Sequence, residues 1–219
     1  MHAEIILPTF GLAVHTALMI YIIVGLAIFS VIFGKRLKLV PGKGQMIIEL
    51  VYEAFVGLVE QTMGHKGKKY LPLVLTLVFF IFIANAMGHV PGLLPPTANL
   101  NTTFGLALVV FFTTHIIGIK EHGLKYIKHF MGPVGWLAPL MIPIEIIGHI
   151  ARPVSLSLRL FGNMMGHEQI VGVLLMLMPA AYPLLALSTA LGVLVVFIQS
   201  FIFALLSMMY MGGALEEAH

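Results

Sequence analysis

The chain has 219 residues, 59% of them hydrophobic and only 10% charged, with a mean hydropathy of +1.03, a balance that no soluble domain can cover with polar surface. It contains no cysteine, which excludes disulfides, iron–sulfur ligation and thiol chemistry, and no aspartate, which excludes metal or phosphoryl-transfer motifs built on that residue. The formal net charge of +3 comes from basic residues gathered in short loops between apolar runs, where they read as membrane-topology signals and not as a nucleic-acid surface.

The first apolar run, 10–33, supplies the ~20 residues that a helix needs to cross a hydrocarbon layer about 30 Å thick. It is longer than the ~7–15 residues of a signal-peptide core and no Lys or Arg precedes it, so a retained span is expected. Lys35, Arg36, Lys38 and Lys43 follow at once, which predicts a cytoplasmic end there and an N-terminus outside. Across 46–63, Glu49, Glu53 and Glu60 recur at helical spacing among Ile47, Ile48, Val51, Phe55, Leu58 and Val59. That pattern predicts an amphipathic helix lying at the cytoplasmic face or packing on other subunits. Lys66, Lys68 and Lys69 are basic again, so the chain has not crossed.

A second span is expected over 71–90, with Asn85 and His89 near its outer end, followed by a loop at Pro91, Gly92, Pro95 and Pro96 that lacks basic residues. A third span, 103–119, returns to Lys120, Lys125 and Lys128. Three successive loops therefore agree on one topology, and no internal repeat is visible. Beyond Trp136, an expected interfacial anchor, the apolar run 137–178 is long enough for a helix of about 60 Å, roughly twice the hydrocarbon thickness. It must lie steeply inclined, break, or project from the bilayer; Pro153, Gly162 and Gly166 offer bends. Pro179, Tyr182 and Pro183 mark a turn, and a last helix over 184–211 returns toward the acidic end at Glu216, Glu217 and His219. The sum is a single all-α polytopic membrane domain of about five transmembrane helices plus one amphipathic helix.

Arg159 sits among Leu156, Leu158, Leu160 and Phe161 in the long run. A guanidinium keeps its proton in proteins, so this charge cannot escape lipid by neutralising itself. Inside a membrane it demands a partner and marks a functional site. At 3.6 residues per turn, Glu145, His149, Arg152, Arg159, Asn163 and roughly His167 share one stripe. Glu168 is about two and a half turns beyond Arg159 and falls on the far side of an ideal helix, so either the Gly162/Gly166 region distorts or Glu168 serves a separate pocket. Ionisable and amide groups at successive depths suit a proton route, in which glutamates and histidines load and unload. The arginine cannot be a relay stage and serves as a fixed positive charge. A carboxylate protonated in lipid would ionise on meeting it and reprotonate on leaving.

The run Arg152-Pro-Val-Ser-Leu-Ser-Leu-Arg159-Leu-Phe-Gly-Asn163-Met, with Glu168 beyond it and Gln199-Ser-Phe-Ile-Phe203 in the last span, resembles the a subunit of bacterial F-type ATP synthases. The likeness extends more loosely over 85–103. It implies a proton-translocating stator subunit whose long last two helices form a strongly inclined hairpin around a rotor ring, with two offset half-channels. By that resemblance Arg159 faces the carboxylates of the c ring and separates the half-channels. Asn163, Glu168 and Gln199 match polar positions near it and on the outer route, and Glu145 and Ser155 match the cytoplasmic one. Where some relatives carry a second ionisable group, seven residues before the glutamine, this chain has Gly192, which leaves His167 or water to accompany Glu168. Asn99 stands where relatives often have aspartate. Implied partners are c-ring subunits, b-type peripheral-stalk subunits, the remaining synthase subunits and lipid, in a bacterial inner membrane; no cofactor, metal or nucleic acid is implied. No P-loop is present, so the chain alone is expected to be non-catalytic.

Blander readings compete at each position. Arg159 and Arg152 also fit snorkelling to headgroups, Glu168 a structural pair with His167, and Asn163 and Gln199 interhelical hydrogen-bond glue. His149, His89, Asn85, His15 and His115 read as structural or water-contacting, and the methionine runs as packing surface. Rival functions are a sodium-translocating version of the same subunit, a self-contained transporter in which Arg159 binds an anion, and a passive scaffold.

Overall fold

Lipid offers no hydrogen bonds, so apolar runs of spanning length satisfy their own backbones as helices. The computed structural model describes residues 13–35, 37–38, 40–90, 93–123, 126, 138–177 and 182–215. Helices are the only regular structure among them: α1 (Val14–Lys35), α2 (Lys43–Met63), α3 (Leu71–Ala86), α4 (Leu100–His122), α5 (Ala138–Leu177) and α6 (Tyr182–Leu215), with short 3₁₀ turns at His65–Tyr70, Met87–His89 and Pro96–Ala98. Five stretches of the described helices are long and apolar enough to cross a membrane: α1, His65–His89, α4, Met141–Leu174 in α5 and Ala186–Leu215 in α6. The chain is a multi-pass membrane protein, and α2 is its amphipathic exception. The expected anchor Trp136, the Pro91–Gly92 loop, the Pro179 turn and the terminal Glu216, Glu217 and His219 lie outside the described residues.

Local chemistry sets the helix ends. α2 stops at Gly64, whose φ of +66° suits a residue without a Cβ and whose N–H donates to the Glu60 carbonyl at 3.1 Å. Asn99 caps α4 by accepting the Asn101 N–H at 2.9 Å, a task that asparagine and aspartate perform about equally well. α5 has no such stop. Its helix runs unbroken for 40 residues through both Pro143 and Pro153 and past Gly162 and Gly166. Of the outcomes open in the sequence, a break is therefore not the one taken. Interior proline costs ~3 kcal/mol in an isolated helix. Here neighbouring helices hold the segment in place, with Leu156, Leu160 and Met164 almost wholly buried.

Two apolar clusters tie the bundle together. One joins Phe55, Val59 and Met63 of α2 to Val74 and Val78 of α3, Ile117 of α4, and Met208, Met211 and Leu215 of α6. The other joins Ile22 of α1, Leu77, Phe80 and Ile81 of α3, Ala107 and Val110 of α4, Leu156 and Leu160 of α5, and Phe203 of α6. α2 thus packs the second half of its apolar stripe on α6 of its own chain, while Met46, Ile47 and Leu50 of its first half stay exposed. The α2–α6 contact is close enough that a Cβ at Gly212 would strike the carbonyl oxygen of Thr62. At the same end, Lys68 and His65 pair with Glu60, and Lys66 pairs with Glu121 of α4. The hydrogen bond from Lys68 holds the Glu60 carboxyl below its usual range, reinforced by the Lys68 and His65 charges.

Candidate functional site

The α5–α6 hairpin is antiparallel, and polar contacts mark its register. Arg152 of α5 lies with its guanidinium 5.5 Å from the ring centroid of Tyr210. Asn163 Nδ2 donates to Gln199 Oε1 at 2.7 Å, and His167 Nε2 lies 3.4 Å from the Ser188 carbonyl oxygen. Between these contacts Leu156 and Leu160 pack on Phe203, which turns the intervening Arg159 outward.

Arg159 is exposed, with Ser155 one turn earlier and Leu158, 51% exposed, beside it. Among the described residues it makes no hydrogen bond and no ion pair. The guanidinium stands alone on an apolar face, its charge unmatched by any carboxylate of the described chain. Neither of the chain's nearby glutamates serves. Glu145 of α5 lies with Oε1 3.3 Å from His149 Nε2, and Glu168, half buried, has no hydrogen-bond partner among the described residues. Because α5 is helical throughout, Glu168 stays about half a turn around from Arg159 and about 13 Å along the axis. Gly162 and Gly166 do not interrupt that geometry.

The stripe counted from sequence divides into two groups on either side of Arg159. Toward the N-terminal end of α5, Glu145 contacts the buried His149, whose ring meets that of His115 edge-on at 5.2 Å. His115 in turn faces Tyr126 at 6.0 Å, and a small pocket between α4, α5 and α6 is bounded by His115, His149, Arg152 and Tyr210. Toward the C-terminal end, Asn163 and His167 border an open groove of about 540 Å³ between α5 and α6, which also touches Ser188 and Gly192. The buried Gln199 and Asn85 lie near this end of the bundle; Asn85 accepts a hydrogen bond from the Thr97 hydroxyl at 2.6 Å.

Spacing along one helix identified the α5 residues. It could not reveal side chains brought to them from other helices. His115 and Tyr210 beside Arg152, and His89 with its ring 4.9 Å from that of His167, are contacts of that kind. Gly192 carried the one hint, since a glycine at a polar position of the hairpin signals a neighbour that needs its space. No group of three or more potential metal ligands occurs among the described residues. The site holds amides, imidazoles, carboxylates and the two fixed cations Arg152 and Arg159, a set that can move protons and balance a mobile charge.

Comparison with known proteins gives one answer. Residues 14–212 match the family described as ATP synthase A chain. The ATP synthase subunit a of Geobacter sulfurreducens is 55% identical over 198 residues, covering 90% of this chain and 86% of that protein. ATP synthase subunit a 1 of Syntrophotalea carbinolica is 50% identical over 213 residues, covering 97% and 90%. The ATP synthase subunit a of Geotalea daltonii is 52% identical over 198 residues, covering 90% and 86%.

Proposed function

We propose that this chain, which belongs to the ATP synthase A chain family, is the proton-translocating stator subunit of a bacterial ATP synthase, with Arg159 as the charge that divides two offset half-channels. The observation that carries this reading is the lone guanidinium on an apolar, outward face. A charge left unmatched within its own chain has to be matched by a neighbour, and a ring of membrane helices bearing carboxylates supplies both the charge and the apolar surface. A protonated ring carboxylate crosses lipid as a neutral group. Beside Arg159 its pKa falls and the proton leaves; moving away, the group must take up another. Arginine cannot accept or release protons, so it blocks a direct leak while permitting exchange on either side.

The polar groups flanking Arg159 support separate routes to it. Glu145 and Ser155 lie toward the basic loops and are assigned to the cytoplasmic route. Asn163, Gln199, His167 and Glu168 lie toward the opposite end and are assigned to the outer route, with Glu168 reached from a different side of α5 than Arg159. Loop charge supports an outside N-terminus and a cytoplasmic C-terminus. On this reading the chain assembles with the c ring, b-type stalk subunits and the remaining synthase subunits, and membership of the family supports it. The driving force is the membrane potential, worth about 2.3 kcal/mol per charge per 100 mV.

Two experiments test this. The chain contains no cysteine, so a single cysteine at Leu158 should cross-link to a small hairpin membrane protein with a buried carboxylate; absence of any such product in the assembled complex counts against the ring. In parallel, Arg159→Ala should assemble normally yet lose proton-coupled ATP synthesis. Retained coupling would leave the chain a passive scaffold.

A further inference from the structure

Three elements converge at one end of the hairpin groove: the turn Met87–His89 that ends α3, the stretch of α5 carrying His167, and α6 at Gly192. The imidazole rings of His89 and His167 lie 4.9 Å apart, tilted by 32°. A Cβ at Gly192 would collide with Nε2 of both rings, so the two histidines together occupy the place of a side chain on α6. Both ring nitrogens of His89 are buried, and the polar group beside the ring is the backbone of Asn85 at the end of α3. Water reaching the polar part of the groove, at Asn163, His167 and Ser188 between walls of Ile170, Leu187 and Leu191, would meet this pair and could exchange protons with it. His167 borders that groove directly and spends Nε2 on the Ser188 carbonyl.

We propose that His89 is a further residue of the outer proton route, forming with His167 a two-imidazole site over Gly192 that receives protons from the groove and passes them on to Glu168. The proposal rests on the stator reading above. A proton entering from water binds a ring nitrogen of one imidazole; the same imidazole, or its neighbour after one hop, releases a proton to the Glu168 carboxylate, and the pair returns to its starting charge. Two imidazoles this close would repel as a pair of cations, which favours handing one proton on before the next arrives. Of the elements packed here, α5 supplies His167 and the adjacent Glu168, the end of α3 supplies the backbone of Asn85 beside His89, and α6 contributes the Ser188 carbonyl. The titratable group in ring contact with His89 is His167.

The test uses the assembled synthase in membrane vesicles and reads passive and ATP-driven proton flow against pH on the outer side. His89→Gln keeps the bulk and hydrogen bonding of the side chain but cannot titrate near neutral pH. It should slow flow by about tenfold or more and remove one ionisation from the pH profile. Full flow with an unchanged pH profile in His89→Gln overturns the proposal. So does a slowed rate whose pH profile keeps its wild-type shape, since that is the mark of a packing role. Arg159→Ala run alongside separates the two levels: if it uncouples the enzyme while His89→Gln behaves as wild type, only the role of His89 fails, and if it too is silent, the stator reading fails.

Discussion

Arg159 and its neighbours show how much a single side chain can demand from its surroundings. The residue is exposed, flanked by buried Leu156 and Leu160, and unpaired among the described residues. Charge alone is not all that guanidinium offers: it presents a planar fork of donors, where lysine offers a compact and more strongly hydrated ammonium that loses its proton readily when desolvated. Arg159→Lys should therefore assemble and yet lose coupled ATP synthesis, measured in inverted vesicles; full activity would mean that charge suffices. The Asn163–Gln199 contact makes a smaller and separable claim. Amide pairs between membrane helices are worth about 0.6 kcal/mol on average and at most about 1.7. A double-mutant cycle with Asn163→Ala and Gln199→Ala, read by denaturant stability in detergent, should give a coupling energy of that order. Slowed proton flow beyond what that coupling explains would mark the pair as part of the route.

At the scale of elements, the spans were legible because membrane thickness fixes helix length, and apolar runs of about the right size could become little else. The polar stripe of α5 was legible for a similar reason, since residues three and four apart share a helix face. Counting turns also placed Glu168 opposite Arg159, and the unbroken helix keeps it there. Continuity through Pro153 was not legible, because proline's local cost is offset by packing against α4 and α6 that sequence does not display. The docking of α2 on α6 was hidden likewise. Its apolar stripe says only that something covers it, and the cover is Met208, Met211 and Leu215, some 150 residues further on. Gly212 permits that approach. Gly212→Leu should detach the C-terminal half of α2, seen as faster hydrogen exchange over 55–63, while α5 stays protected. The 65–70 turn gives a pH prediction of definite sign. Glu60 has its pKa lowered by Lys68 in the folded chain, so its hold on the turn is present above the ordinary glutamate range and is lost as pH falls through the lowered value. Both partners are partly solvent-exposed, so the effect should be small and weakened by salt; hydrogen exchange at 65–70, followed from about pH 6 down to about pH 3, reads it.

For the whole molecule, the telling property is what it leaves uncovered. Ile147 is 66% exposed on α5, and Leu194 and Phe197 of α6 are 56% and 60% exposed. Lipid can cover these side chains, but it cannot neutralise the exposed Arg159. The chain should accordingly be inert alone: purified and reconstituted in liposomes without partner subunits, it should neither conduct protons under an imposed potential nor accumulate anions. Substrate transport by the isolated chain would restore the self-contained transporter as the better reading. Composition revealed the membrane class, because that depends on the solvent. The meeting of His89, His167 and Gly192 depends on how three separate helices cross, and no spacing along one chain encodes that.

The continuity of α5 also governs which changes its gene can tolerate. A helix without a break transmits register: each inserted or deleted residue turns everything beyond it by about 100° and shifts it by about 1.5 Å. Between Glu145 and His167 such a change would move one half of the polar stripe off the face held by the other, and no break within 138–177 would absorb the slip. Substitutions can accumulate along this segment one at a time, whereas its length is held as a unit. Among related chains, differences in length should therefore collect in the connections between helices and be missing between these two residues.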